Sequence, residues 1–452
     1  MKRIFVLMLS MTLVLALTGC IFGGGREETT VTIPNELPDE EIEITLWHAF
    51  GDANQELLQE MFDSFNEMYP NVTINQVTQG GYDELRSATI NAITAGTTPT
   101  LVMGYPDHFV EYLNGNALVP LDEYINHEEF GVDLDDFVPG FLAENQQYLD
   151  GKMYSMPFAK STEMVVYNKT VFDSHGITIP SDEALTWTDL EGFADTIIGS
   201  GDMQCEFLYN ADSAANFFIN SSRQWDAGYT TTEGDVLIDN QTTRDMLEYY
   251  KELMDQNILA FPIEWDQDYG STNFLQGDVC MTQGSTAGTR YNVPVEGQEG
   301  KFGQFEIGIT PIIQLEDGTP SAIQQGPNIA MVSDATEAER LAAWLLIKHM
   351  TNTENTAFFA QNTGYVPVRL SAFNDPAYQA FLNTTDPDQL PFSMAANVAY
   401  AQVDFYQYDP AFVGRITSST VRQEAGFMFE RIYSETQTVE ESLQQMLEQL
   451  GQ

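Results

Sequence analysis

Four aromatic residues, Trp47, Tyr82, Trp225 and Tyr365, carry flat apolar faces on which a sugar ring can stack. Asp107 and Glu163 carry carboxylates that can accept hydrogen bonds from ligand hydroxyls, with a solvated strand edge as the other use of Glu163. Most of the 20 tyrosines and 5 tryptophans should serve cores, which leaves Trp47, Tyr82 and Tyr365, placed on loops by the runs around them, as the better candidates. Reaction chemistry has less to work with. His48, His108, His127, His175 and His349 are scattered, and neither an H-E-x-x-H helix nor a C-x-x-C pair is present to hold a metal. Gly284-Ser285-Thr286-Ala287-Gly288 has the outline of a nucleophile elbow, but its middle residue is threonine and no partnering histidine follows it. Carboxylate pairs such as Glu128-Glu129 arise from abundance alone, because the chain holds 67 acidic residues. No catalytic residue, metal or cofactor is therefore expected.

Against those 67 acids stand 18 lysines and arginines, a formal net charge of -49. Such a surface repels nucleic acid and anionic lipid headgroups. At physiological salt the field is screened within about 8 Å, so donors inside a cleft decide what binds there.

The amino end carries an address. Lys2 and Arg3 precede an apolar run from Ile4 to Leu17 that is too short to be a comfortable membrane span. The run ends in Leu17-Thr18-Gly19-Cys20, which resembles the lipobox of bacterial lipoproteins. Residues 1–19 then form a signal peptide, and Cys20 is lipidated on the outer face of a membrane, at the cell surface or in the periplasm. Residues 20–42 are rich in Gly, Glu, Thr and Pro without an apolar period, and read as a flexible linker. Apart from Cys20 the only cysteines are Cys205 and Cys280, which either pair or remain buried thiols.

The body that follows is long enough for two domains. Glu43 to Trp47 reads as a strand. Asp52 can cap a helix bearing Leu57, Leu58, Met61, Phe62, Phe65 and Tyr69, which Pro70 ends. A strand at Val72 to Val77, a helix at Leu85 to Ala95 closed by Gly96, and a strand at Leu101 to Tyr105 continue the alternation. Further on, Met164 to Tyr167 reads as a strand, and Trp187 to Ile198, Arg244 to Met254, Ala335 to Met350 and Val439 to Leu450 read as helices. Thr336 and Glu339 are spaced as a capping box. Alternation of this kind predicts α/β folding around mostly parallel, doubly wound sheets, with a ligand site beyond the strand ends.

Several ordered runs carry a family likeness. They are Trp47-His48, Tyr82 after Gly80-Gly81, Gly151-Lys152-Met153-Tyr154-Ser155-Met156-Pro157, Tyr167-Asn168-Lys169, Thr186-Trp187-Thr188-Asp189-Leu190, Gly277-Asp278 and Thr363-Gly364-Tyr365-Val366-Pro367. Together they resemble the family 1 extracellular solute-binding proteins of ABC importers, and most of all the glycerol-3-phosphate-binding group. The resemblance implies a two-lobed periplasmic-binding-protein-like fold of class II type, with a hinge and an interlobe cleft. Lobe one would be residues 43–158 and 307–362, and lobe two residues 160–306 and 364–452. It implies ligand contacts from Tyr82, Ser161, Ser285, Gly326, Tyr365 and Arg422, the last offering a fork for two anionic oxygens or, alternatively, a structural ion pair.

Two departures stand out. The group's glutamate after the third strand is replaced by Tyr105-Pro106-Asp107, with the carboxylate displaced by one position. Its tryptophans beyond the position of Cys205 are absent from Phe207-Leu208-Tyr209-Asn210. The implied cargo is a sugar, an oligosaccharide or sn-glycerol 3-phosphate, and the implied partners are membrane permease subunits, with a separate subunit hydrolysing ATP and the binding protein acting as a monomer. A surface glycosidase would need two carboxylates facing one another across the cleft, and a structural lipoprotein would need no cleft.

Overall fold

The computed structural model describes residues 31–198, 204–297 and 300–452. Cys20, the signal peptide and residues 20–30 of the linker lie outside them. Strand β1 (Ile42–His48) buries every second side chain and pairs in parallel with β2 (Val72–Thr78), from Ile42 opposite Val72 to His48 opposite Thr78. Between them α1 (Asp52–Met68) buries Leu58, Met61, Phe62 and Phe65. Its N-cap is Gly51 rather than Asp52, which lies in the first turn, where a carboxylate still favours the positive end of the helix. Helix α2 (Tyr82–Ala95) ends at Gly96, which takes the left-handed conformation at φ 66° that the sequence anticipates. The fully buried β3 (Leu101–Gly104) pairs in parallel with β1 and leads into α3 (Pro106–Asn114). A short helix, α4 (Pro139–Asn145), precedes β4 (Ser155–Pro157).

The chain then enters a second sheet. Strand β5 (Ser161–Asn168) is buried along its whole length, and β6 (Phe207–Ala211), β7 (Leu259–Ala260) and β8 (Val279–Ser285) extend that sheet, with α5 (Ala214–Gln224) between β6 and β7. Strands β9 (Ile307–Pro311) and β10 (Ala322–Gln325) both pair with β5, whereas β11 (Asn328–Met331) pairs with β3 and β4 of the first sheet. The return therefore falls between Gln325 and Asn328, not at Ile307. Strand β5 buries Val165 in one apolar core and Met164 and Val166 in another, and its backbone N–H and C=O groups are paired only when strands lie on both edges: β8 on one, β9 and β10 on the other.

The strand orders are β2-β1-β3-β11-β4 and β12-β10-β5-β8-β6-β7, with β9 also on β5 and β12 formed by Tyr406–Gln407. Both sheets are mixed: β1, β2 and β3 are parallel as the alternation anticipates, and β11 runs antiparallel because it enters from the other sheet. The three passages between sheets touch one another. Ala159 donates its N–H to the Pro327 carbonyl at 3.2 Å, and Val366 donates to the Lys160 carbonyl at 2.7 Å.

The helix Glu337–Met350 starts at the capping box of Thr336 and Glu339 and buries Trp344, whose indole N–H donates to the Phe130 carbonyl at 2.9 Å. On the second sheet, α6 (Ser418–Tyr433) and α7 (Val439–Gln449) supply Phe429, Ile432, Leu443 and Met446 to a core with Trp187, Phe217 and Tyr250. Cys205 and Cys280 form a disulfide that ties the approach to β6 to β8. Among the described residues no helix is long and apolar enough to cross a membrane.

Candidate functional site

Beyond the carboxyl ends of β2 and β3 opens a cavity of about 700 Å³. This is where parallel strands leave room for a ligand, because their loops diverge. One wall is built by Tyr82 and Arg86 of α2, by Tyr105, Asp107 and His108 at the start of α3, and by Glu144 of α4. The facing wall comes from elements of the second sheet: Gln324 and Gln325 at the end of β10, Tyr229, Asp409, and Ser418, Ser419 and Arg422 in the first turns of α6.

Tyr82 and Tyr105 meet edge to face with ring centroids 4.8 Å apart. Tyr365 lies behind them, stacked on Phe359 at 5.7 Å. Burial, reinforced by the neighbouring phenols, pushes the Tyr82 hydroxyl well above its ordinary range, and burial raises Tyr105 and brings Tyr365 to about 12. All three are neutral phenols at physiological pH, able both to donate and to accept.

Arg422 lies in a network. Its Nη1 donates to Asp409 Oδ2 at 2.8 Å, and its Nη2 donates to Asn216 Oδ1. Asn216 Nδ2 in turn donates to Glu163 Oε1 at 2.6 Å and to Gln325 Oε1 at 2.9 Å. Gln283 Nε2 donates to Glu163 Oε2 at 2.5 Å, and Tyr209 donates to Gln283 Oε1. Burial lifts the Glu163 carboxyl to about 7, against the pull of the Asn216 and Gln283 hydrogen bonds. Across the cavity, Ser419 Oγ donates to Asp107 Oδ2 at 2.5 Å and joins α6 to α3.

Of the residues singled out in the sequence, Tyr82, Asp107 and Arg422 lie on the cavity wall. Ser161, Glu163 and Ser285 are gathered one layer behind, where Ser161 pairs with Gln325 and Glu163 pairs with Ser285. Glu163 is thus a buried residue in the middle of the sheet, neither a solvated edge nor a wall residue. The Ser285 hydroxyl accepts from the Ala287 N–H at 3.2 Å and caps a turn.

The carbonyl of Gly326 accepts from Lys160 Nζ at 2.8 Å. Its φ of 101° and the overlap that a Cβ would make with the Ala159 carbonyl oxygen explain the glycine by close approach of two passages. Trp47 lies on β1 rather than on a loop and packs half-buried against the core of the first sheet. Trp225 donates its indole N–H to the Tyr250 hydroxyl at 3.3 Å and likewise serves a core.

Sequence reasoning did not find Asp409, Ser419, Asn216 or the pair of Lys160 and Glu144. No spacing links Asp409 to Arg422. Lys160 stands between Phe158-Ala159 and the polar Ser161-Thr162-Glu163, a setting that does not mark it locally as a buried charge.

Two mixed sheets joined by three touching passages, with a polar cavity between elements of each, define a two-lobed binding protein. Residues 60–385 match the bacterial extracellular solute-binding protein family, and the chain belongs to it. It is 24% identical over 349 residues to the sn-glycerol-3-phosphate-binding periplasmic protein UgpB of Pectobacterium atrosepticum, covering 75% of this chain and 76% of that protein. Among solved structures it is similar to UgpB from Mycobacterium tuberculosis in complex with glycerophosphocholine, with TM-score 0.73 and 20% identity over 90% of this chain and 97% of that one. It is also similar to the cyclic alpha-maltosyl-1,6-maltose binding protein from Arthrobacter globiformis, with TM-score 0.70 and 18% identity over 90% and 97% of the two chains.

Proposed function

We propose that the protein captures a sugar or sugar-like solute between its lobes and delivers it to an ABC permease without altering it chemically. The observation that carries this reading is the cavity itself, walled by hydroxyls, amides and carboxylates from elements of both sheets. A molecule held by walls from both lobes draws them together, because contacts to both lobes exist only in the closed form. Lobe one comprises residues 43–158 and the stretch from Asn328 to about Asn362, and lobe two comprises most of the remainder of the body. The relatives' names fit a cargo of this kind: sn-glycerol 3-phosphate in one case and a cyclic maltose derivative in another. Cys20 carries the lipid that keeps the trap beside its transporter at the outer face of the membrane, and the leash runs from it to about Leu37, because Asn71 Nδ2 donates to the Pro38 and Glu40 carbonyls at 2.8 and 2.9 Å and Ile42 opens β1. Mass spectrometry of small molecules released from the purified protein tests the reading. Recovery of a polyhydroxy solute that also raises the melting temperature supports it. No released solute, together with no melting shift from a panel of sugars and glycerol phosphates, overturns it.

A further inference from the structure

We propose that Asp409 decides the charge of the solute: by occupying Arg422 it makes the cleft select a polyhydroxy molecule with no net negative charge. The inference rests on the solute-binding reading above and narrows it.

Two guanidinium groups lie on the cavity wall, and the chain's own carboxylates hold both. Arg422 Nη1 donates to Asp409 Oδ2 at 2.8 Å, while the other carboxylate oxygen, Oδ1, lies 3.4 Å from Nη2 of Arg223. Burial pulls the Arg223 side chain down from its ordinary pKa, and the Asp409 carboxylate opposes that pull, so Asp409 serves two guanidiniums at once. Arg86 donates from Nε and Nη2 to the two oxygens of Glu111, at 3.1 and 2.5 Å, a two-pronged pair that fills its fork. The third place where an anion would be welcome is the amino end of α6, beside Ser419, and Asp107 occupies it with a 2.5 Å hydrogen bond.

Asp83 and Glu430 also lie on the wall. A phosphate dianion entering this cavity would have to displace Asp409 from Arg422 and then share a confined space with it. Like charges brought together away from water repel, which is how a site rejects a wrong partner. A neutral hydroxyl meets no such opposition, since it donates to the carboxylates and accepts from the phenols. A zwitterion whose charges cancel is also admitted.

Isothermal titration calorimetry of the purified protein, with sn-glycerol 3-phosphate as the anionic probe and maltotriose and glycerophosphocholine as net-neutral probes, tests the assignment. The wild-type chain should give no binding heat with millimolar sn-glycerol 3-phosphate. Asp409→Asn keeps the shape, removes the charge, and should raise affinity for that anion roughly tenfold or more. Because Asp409→Asn also loosens the buried Arg223, thermal melting checks its fold, and Asp107→Asn, which removes a negative charge from the cavity wall beside Ser419, provides a second variant with the same expected gain. Tight binding of sn-glycerol 3-phosphate by the wild-type chain overturns the proposal, as does the absence of any gain in both variants when they melt like the parent. Either result would leave the solute-binding reading intact, since that reading stands or falls on what the purified protein releases.

Discussion

Lys160 Nζ lies 2.5 Å from Glu144 Oε2 in the interior, at the point where the passages between the two sheets touch. The ammonium also donates to the Gly326 carbonyl at 2.8 Å and approaches Asn328 Oδ1 at 3.4 Å, and Asn328 Nδ2 donates to Glu144 at 2.9 Å. Burial lowers the Lys160 pKa, and the Glu144 carboxylate draws it back up. A cation so placed ties the strand leaving the first sheet, the strand returning to it and a helix on the cavity wall into one joint.

Lys160→Met removes one partner of this pair and leaves Glu144 and a carbonyl without their donor. Breaking a buried pair from one side costs about 3–5 kcal/mol, far more than losing a surface pair. Urea denaturation should show a lower midpoint with an unchanged slope. A change of under about 1 kcal/mol would show that the joint does not depend on the charge.

Gly326→Ala tests the same joint through the backbone. The φ of 101° strains any residue with a Cβ, and the new methyl group would overlap the Ala159 carbonyl oxygen. The expected loss is at least about 2 kcal/mol by chemical denaturation. Gly96→Ala has open space around its Cβ and bears only the left-handed penalty, so it should cost less than Gly326→Ala.

How much of this was legible in the sequence depends on range. The alternation of apolar residues in β1 and the three- and four-residue spacing in α1 are local, and both elements stand where those periods place them. The passage through Gly326 is different, because Gln324-Gln325-Gly326-Pro327-Asn328 looks like a loop between two short strands and nothing local says that those strands belong to different sheets. Trp47 was misread for the opposite reason. The alternation ends at Trp47 in the sequence, but β1 runs on to His48, which keeps Trp47 within the strand. In the site, Tyr82 and Asp107 were reachable because they follow strand ends, whereas Asp409 meets Arg422 only through folding.

Glu163 makes stability depend on pH. Its ordinary value of 4.5 rises to about 7 in the folded chain, so the unfolded chain releases this proton first as pH rises. The sign follows: the folded state carries no penalty from Glu163 below about 4.5, loses stability through the window from 4.5 to about 7, and bears the full cost, on the order of 3 kcal/mol, above it. Glu163→Gln removes the titrating group and stays neutral, so unfolding free energies between pH 4.5 and 7 should fall less steeply in the variant than in the parent. Parallel pH profiles for the two proteins would show that Glu163 is already ionised across the window. Asp212, also raised by burial, repels the Glu163 carboxylate, so the comparison reads Glu163 together with its coupling to Asp212.

Cys20→Ser separates anchoring from capture. With no lipid on residue 20, fractionation should find the protein in the medium or periplasm instead of with the membrane, while calorimetry on the released protein gives the same solute affinity, since every cavity residue lies beyond Tyr82 or at it. Uptake by cells should nevertheless fall. On the proposed reading a tethered trap meets its permease at an effective concentration set by the length of the leash, and a coil of about twenty residues has a root-mean-square reach of roughly 25 Å. Raising expression of the untethered variant should restore uptake by mass action. If uptake is unchanged at native expression, the lipid has no part in delivery, and the address on Cys20 serves only retention.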